Sequence, residues 1–360
     1  MKIAFVHDRI LTIWWAERVF FDLISNTNFD EAEIFTIFSD KKEISVHWKT
    51  LKINSLISND FLIKKIWYRN FMPIFPILTK LLSNKVKKFN PDKLVISSFT
   101  IAKNLDFRWK KELYLHSPMQ YIRDSYEEYL TKFKFPIKQI YIIVAKYLRI
   151  WDKKYIKFDK IWFNSKYTKE LAQKIYWIDG EIIYPKIDET FIKLSAKPDP
   201  ENYFVYIGRL VKYSKELDKL IELFNQNGEN LIIIWDGPDA DYLKSIAKDN
   251  IIFVGYLNKE NNEKEKENFI KILKRSKWLV NITKESFGIT TAESLALGIP
   301  VFGYAYGGSA ELVDSDSWTL VKQKDINTLI EQFNIFKCKD FDRTKIKENF
   351  LKKYLKNNKF

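Results

Sequence analysis

The sequence predicts an α/β chain made of two doubly wound halves. Three observations carry this: short apolar runs alternate with stretches of helical period, the alternation breaks at a proline-containing segment near residue 195, and it resumes beyond it. Lys2–Val6 reads as the first strand and Ala16–Ile24 as the helix after it. Further strands are expected at Glu33–Ile37, Lys93–Ser97, Glu112–His116, Lys160–Asn164 and Glu181–Tyr184, with helical stretches separating several of them. Leu194–Glu201 holds two prolines and little apolar content, which suits a linker. The second half then places strands at Tyr203–Ile207, Leu231–Ile234, Ile251–Val254, Leu279–Ile282 and Pro300–Phe302. Asp342–Lys359 reads as a basic amphipathic helix. The expected division is 1–194, 195–338 and a terminal helical segment 339–360, with ligands bound at the carboxyl ends of the two sheets across a cleft.

Composition narrows the classes. The chain of 360 residues has room for two full cores. No apolar run approaches the roughly 20 residues of a membrane-spanning helix. Charge appears early in Met1–Asp8, which argues against a signal peptide and for a cytoplasmic protein. A single cysteine, Cys338, excludes an internal disulfide, and three histidines (His7, His47, His116) offer no Cys/His zinc cluster. A net charge of +14 calls for an acidic partner: nucleic acid, anionic lipid or a phosphorylated substrate. The basic aromatic stretches Phe61–Leu78 and Lys132–Tyr155 suit anionic headgroups, or equally core helices with snorkelling lysines. RNA could use the same residue types, but no RNA-recognition signature accompanies them.

The most informative stretch is Glu285-Ser-Phe-Gly-Ile-Thr-Thr-Ala-Glu293, continuing through Gly298-Ile-Pro300 to Tyr306-Gly-Gly308. A buried strand, Trp278–Ile282, runs into it, and helical spacing starts at Gly288, with Ala292, Leu295 and Ala296 on one side. The turn offers the amides of Phe287 to Thr290 at a helix start, where backbone donors and the dipole attract phosphate. Glu285 precedes the helix and Glu293 lies within it, so one carboxylate can face a sugar and the other a ribose. After the first strand of the second half come Gly208, Arg209, Lys212 and Lys215, cations suited to a pyrophosphate whose charge rises as a sugar bond breaks.

These residues resemble the donor-binding signature of retaining GT-B glycosyltransferases, specifically glycosyltransferase family 4. The resemblance extends over nearly the whole chain. Tyr114-Leu-His116-Ser-Pro118-Met-Gln-Tyr121 is similar to the family's Cys-His-Thr-Pro-Met-Arg-Tyr segment, Val6-His7-Asp8 to its His-Asp-Trp, and Ala16-Glu17-Arg18-Val19 to the end of its Gly-Gly-Ala-Glu-Arg-Val. It implies two Rossmann-like domains facing across a cleft, with the last helix crossing back to the first. It implies transfer of a sugar from a GDP or UDP donor, with no cofactor and no metal, to a glycan or lipid-linked acceptor of the cell envelope. Relatives with the His-Thr-Pro-Met segment suggest mannose. The catalytic roles fall on His116, Arg209, Lys215 and Glu285, with Lys212 competing for the lysine role. Donor contacts fall on Trp14, Trp15, Gly208, Trp235, Gly237, Phe287, Gly288, Ile289, Thr290 and Glu293. Asp239-Ala-Asp241 and Asp314-Ser-Asp316 have metal-ligand spacing, yet the first opens a helix and the second lies in a turn. A silent sugar-nucleotide binder and a nucleotide-sugar epimerase of the same shape are the competing classes.

One departure from the family recurs. Trp14 and Trp15 stand where it has its double glycine, Trp235 where it has Gly-Asp-Gly-Pro, Trp177 after a tyrosine where it has Tyr-Gly, and Trp318 in a glycine turn. The chain has 10 glycines against 11 tryptophans, whereas average usage of about 7% predicts about 25 glycines. UGA codons decoded as glycine by the cell but written as tryptophan would produce this pattern at these five positions, with Trp278 a weaker case and Trp151 a genuine family tryptophan. A phosphate site filled by indole in a lapsed enzyme is the alternative.

Overall fold

The computed structural model describes every residue except 12, 47–48, 59–67, 197–199, 258–261, 315 and 359–360, and side chains except also those of 68–70 and 213–214. The chain divides into two compact units, Met1–Pro185 and Lys186–Lys359. The division falls nine residues before the expected boundary at 194/195. A short helix, Glu189–Lys193, accounts for the difference: its buried Phe191 packs edge to face on Phe269, inside the second unit.

The first unit is an eight-stranded sheet. Its strands are β1 (Lys2–Ile10), β2 (Glu31–Ser39), β3 (Glu43–Val46), β4 (Lys49–Ile57), β5 (Lys93–Ser98), β6 (Lys110–Leu115), β7 (Lys160–Phe163) and β8 (Glu181–Ile182), in the order β3-β4-β2-β1-β5-β6-β7-β8. Every pairing is parallel except β3 with β4. The central strands β1 and β5 are almost wholly buried, as near-continuous apolar runs covered on both faces must be. Helices α1 (Trp15–Ser25), α2 (Phe75–Phe89), α3 (Ile137–Trp151) and α4 (Lys166–Tyr176) supply the cover. α1 buries Val19, Phe20, Leu23 and Ile24, the 3.6-residue stripe expected from sequence, against Phe5 and Val95.

The second unit is a six-stranded sheet of parallel pairings: β9 (Glu201–Ile207), β10 (Leu231–Ile234), β11 (Ile251–Gly255), β12 (Ser276–Asn281), β13 (Val301–Tyr304) and β14 (Trp318–Val321), in the order β11-β10-β9-β12-β13-β14. With the Glu189–Lys193 helix as α5, its helices are α6 (Leu217–Asn227), α7 (Ala240–Ile246), α8 (Glu263–Arg275), α9 (Ile289–Ala296), α10 (Ile326–Lys337) and α11 (Arg343–Asn357). The terminal helix α11 buries Ile346, Phe350 and Tyr354 within this unit, and the Ile187 N–H donates to Tyr354 Oη over 2.9 Å. Among the described residues no helix is long and apolar enough to cross a membrane.

The parallel strands of both sheets reverse their order once, between β1 and β5 and between β9 and β12. Loops leaving the carboxyl ends of these strand pairs diverge to opposite sides, which opens a crevice where doubly wound sheets hold ligands. Of the predicted site residues, Trp14 and Trp15 follow β1, and Gly208, Arg209, Lys215 and Glu285 to Glu293 follow β9 and β12, whereas His116 follows β6 and Trp235 and Gly237 follow β10.

Candidate functional site

In the second unit, β9 ends at Ile207 and delivers Gly208 and Arg209, and β12 ends at Asn281 and delivers Glu285. A single helical turn, Lys212–Lys215, follows Arg209 and aims its two lysines differently. Lys212 Nζ donates to Tyr242 Oη over 3.0 Å and lies over that ring, while its backbone N–H donates to Asp239 Oδ2 over 2.7 Å. Lys215 Nζ instead donates to Glu285 Oε1 over 2.7 Å. Of the two lysines the sequence left in competition, Lys215 is the one joined to Glu285. Both ends of this ion pair are only a fifth to a quarter exposed.

Glu285 is held from three sides. Its Oε2 accepts from Asn281 Nδ2 over 3.1 Å, and Asn281 is fixed in turn by the Thr283 hydroxyl, which donates to its Oδ1 over 2.6 Å. Its carbonyl accepts the N–H of Gly308 over 2.6 Å. At Gly308 an added Cβ would lie 2.1 Å from the Ser286 carbonyl, so the Gly-Gly pair allows this chain segment to lie flat against the Glu285 loop. Beneath lies Tyr206, whose phenol is pushed well above its usual pKa by burial and then by the charge of Glu285, and so stays protonated. Asn281 was not singled out from sequence. Its place, as the one polar residue closing an apolar strand beside the switch point, was the available signal.

Gly288 has φ +91° and heads α9. A side chain there would be strained and would strike Ser309 Oγ at 2.6 Å. The fold thereby brings Phe287 to Thr290 to the start of α9, whose first amides have no acceptor within the helix. Ile289 and Thr290 are half-buried and Phe287 is buried. Glu293, expected to reach a ribose, lies one turn further along the helix and is fully buried. Gly237 brings the β10 loop against the β9 loop: a Cβ would sit 2.2 Å from the Leu210 carbonyl. Trp235, just past β10, has φ +139° and its ring meets Tyr256 edge to face at 4.9 Å.

The paired aspartates serve the fold. Asp239 stands at the start of its helix α7, as expected, and makes no side-chain cap bond to it. Its carboxylate accepts the Lys212 N–H over 2.7 Å. Asp314 Oδ1 accepts the Asp316 N–H over 3.2 Å within a turn. Among the described residues no group of three His, Cys, Asp or Glu is placed to hold a metal ion.

The first unit gathers a second group at its own switch point. His116, just past β6, is completely buried, and its Nε2 lies 2.7 Å from Ser97 Oγ, which lies 3.0 Å from His7 Nδ1. His7 Nε2 lies 3.7 Å from Glu17 Oε1, and Glu17 Oε2 accepts the Trp14 N–H over 3.0 Å. Burial, and then the neighbouring His7, push the His116 pKa well below its ordinary value, so the ring is neutral. Its Nδ1 is buried without a hydrogen-bond partner among the described residues, and the Trp15 indole meets the ring edge to face at 5.1 Å.

Two further groups brace this end: Asp8, noted from sequence only as part of the Val6–Asp8 motif, and Asp152, which was not singled out. Asp8 accepts the backbone N–H groups of Phe99, Thr100, Ile101 and Ala102 at 2.6 to 3.0 Å, fixing the loop after β5. Asp152, completely buried, accepts from Lys103 Nζ at 2.5 Å, Tyr176 Oη at 2.6 Å and Arg123 at 3.1 Å. Such partners come from four distant segments, and no local spacing announces them.

Residues 188–353 match the model of a family described as glycosyl transferases group 1. An uncharacterised glycosyltransferase of Methanocaldococcus jannaschii is 27% identical over 141 residues, 35% of this chain and 34% of that protein. The N-acetyl-alpha-D-glucosaminyl L-malate synthase of Bacillus anthracis is 23% identical over 171 residues, 44% of this chain and 42% of that protein. The matches thus span well under half the length of these relatives. Among solved structures, the apo lipopolysaccharide outer core galactosyltransferase WaaB superposes with a TM-score of 0.62 at 18% identity, covering 99% of this chain and 98% of that one. Anabaena HepE in complex with UDP and glucose superposes with a TM-score of 0.61 at 14% identity, covering 98% and 99%. The chain therefore has the GT-B fold, and its residues 188–353 resemble the glycosyl transferases group 1 family.

Proposed function

We propose that this protein is a retaining hexosyltransferase that takes its sugar from a nucleoside diphosphate donor and passes it to a cell-envelope glycan or lipid-linked acceptor. The observation that carries the reading is the Lys215–Glu285 ion pair at the switch point of the second sheet, beside Arg209 and the amino end of α9. In this reading the amides of Phe287 to Thr290 and the cations Arg209 and Lys215 hold the diphosphate. They stabilise the charge that grows on it as the bond from the anomeric carbon to the phosphate oxygen breaks. Glu285 holds a sugar hydroxyl, and a sugar-orienting role for His116 rests on its motif resemblance. The new bond forms from an acceptor oxygen to the anomeric carbon, and the acceptor proton passes to the departing phosphate on the same face. HepE, seen with UDP and glucose, supports a nucleotide sugar as donor.

The acceptor side rests on α3. Tyr141, Ala145, Leu148 and Trp151 face the core, whereas Ile137, Ile140, Ile143, Tyr147 and Ile150 are each at least half exposed. The exposed Lys146 and Lys153 accompany this stripe, a pattern that suits an anionic lipid surface without spanning it. The basic segment Phe61–Leu78 lies partly outside the described residues. Release of UDP or GDP with sugar transfer to membrane extracts, and loss of both in Glu285→Gln, tests the reading. Donor conversion with no acceptor would identify an epimerase instead. A silent binder is the second reading, favoured by the Trp15 indole against His116.

A further inference from the structure

We infer that the native protein carries glycine at positions 14, 15, 177 and 235, the tryptophans written there standing for UGA codons that the cell decodes as glycine. The inference rests on backbone conformation and packing, independently of the transferase reading. Trp235 has φ +139°, well outside the left-handed well near +60° that other L-residues visit, and the region beyond it is tolerated by glycine almost alone. Trp177 ends α4 with φ 56° and ψ 36°, its N–H donating to Gln173 O over 3.0 Å. This left-handed position after a helix is the one glycine usually fills. The Trp177 indole is 79% exposed, so packing does not explain it.

The start of α1 adds a different kind of misfit. Trp14 is the N-cap residue of α1, a position where glycine is among the favoured residues and where an indole, a hydrogen-bond donor only, offers the helix amides no acceptor. Trp15 follows it and lays its indole against His116, whose buried Nδ1 has no hydrogen-bond partner among the described residues. A polar atom left so at a sheet switch point marks space meant for a ligand, and glycine at 15 would vacate that space.

Other tryptophans behave as tryptophans should. Trp278 is 3% exposed in β12 and stacks on Phe204 at 4.4 Å, and Trp151 is buried in the core of the first unit. Trp318 lies within β14, where nothing in its backbone prefers glycine. The misfits therefore track position in the fold, not residue type, as reassignment of one of two tryptophan codons predicts.

Tryptic mass spectrometry of the protein isolated from its own cells decides the matter. Peptides Ile10–Arg18, Ile175–Lys186 and Leu220–Lys244 are expected at their glycine masses, while Trp278–Lys284 keeps its tryptophan mass. Tryptophan at 177 or 235 overturns the inference, and tryptophan at 14 or 15 overturns it for those two positions. A second measurement uses the recombinant chain as written. Trp177→Gly and Trp235→Gly should each raise the unfolding midpoint by roughly 2–4 °C, and Trp278→Gly should lower it. A fall in all three would contradict the strain argument.

Discussion

Replacing Lys215 with methionine tests the chemistry at its most exposed point. In the structure the ammonium donates to Glu285 Oε1 over 2.7 Å, and Glu285 keeps Asn281 as a second partner when the lysine is gone. Both charges are partly exposed, at 25% and 21%, so solvent screening limits the loss of stability to about 1 kcal/mol, or roughly 2–4 °C in unfolding midpoint. Catalysis should respond far more. A preorganised donor aimed at charge that develops only during reaction contributes about 10²–10³ in kcat. Lys215→Met, introduced into the sequence that mass spectrometry establishes for the native chain, should therefore lose kcat by that factor with the midpoint nearly unmoved. The assay is nucleotide release coupled to sugar transfer, with KM for the donor measured alongside. If kcat stays within about threefold of the parent, Lys215 stabilises no developing charge and the pair is structural.

Three further outcomes follow from the same geometry. His116 has its pKa held well below the ordinary 6.5 in the folded chain, so below pH 6.5 the unfolded chain binds a proton that the native one refuses. Stability should then fall as pH drops from 6.5 towards about 5, by at most about 1.4 kcal/mol per unit, and His116→Gln should flatten that slope in denaturant titrations. An unchanged slope would place the proton uptake elsewhere. Asp152→Asn leaves Lys103 buried beside a neutral amide and should cost about 3–5 kcal/mol by chemical denaturation; a cost below about 1 kcal/mol would mean the network is solvated. Gly288→Ala, at φ +91° and against Ser309, should lose about 1–3 kcal/mol of stability. It should also weaken nucleoside diphosphate binding in calorimetry, and unchanged affinity would remove the α9 turn from the donor site.

Strands buried on both faces were legible because their signal is local and continuous. Lys93–Ser97 was expected and Lys93–Ser98 is found; Leu231–Ile234 is found as expected. The β3–β4 pair was not anticipated, since β4 mixes Lys49, Lys52 and Asn54 with its apolar residues and buries little beyond Leu51 and Ile53. Its strand character comes from pairing, which a single-strand pattern does not display. β14 was hidden for a related reason: Trp318 in a Ser-rich turn obscured a four-residue strand completed by β13. The motif residues lie in loops that follow such legible strands, and those loops hold the Lys215–Glu285 pair and the His116–Ser97 contact.

The choice between Lys212 and Lys215 shows where sequence reasoning must stop. Both lie in one loop with the same charge, and spacing from Arg209 cannot separate them. Their separation comes from Asp239, a residue 27 positions away that was read as a helix-start carboxylate. By accepting the Lys212 N–H it ties the beginning of the Lys212–Lys215 turn to the start of α7, where Tyr242 then takes the Lys212 ammonium. Once that end is fixed, the rest of the turn carries Lys215 to Glu285, 70 residues further along the chain. An Asp239→Ala chain should consequently free Lys212 to compete for Glu285. In a transferase built this way, Lys212→Met would be nearly silent in the parent and would restore activity lost in the Asp239→Ala background. Independent, additive losses from the two changes would show that the turn selects its lysine by some other contact.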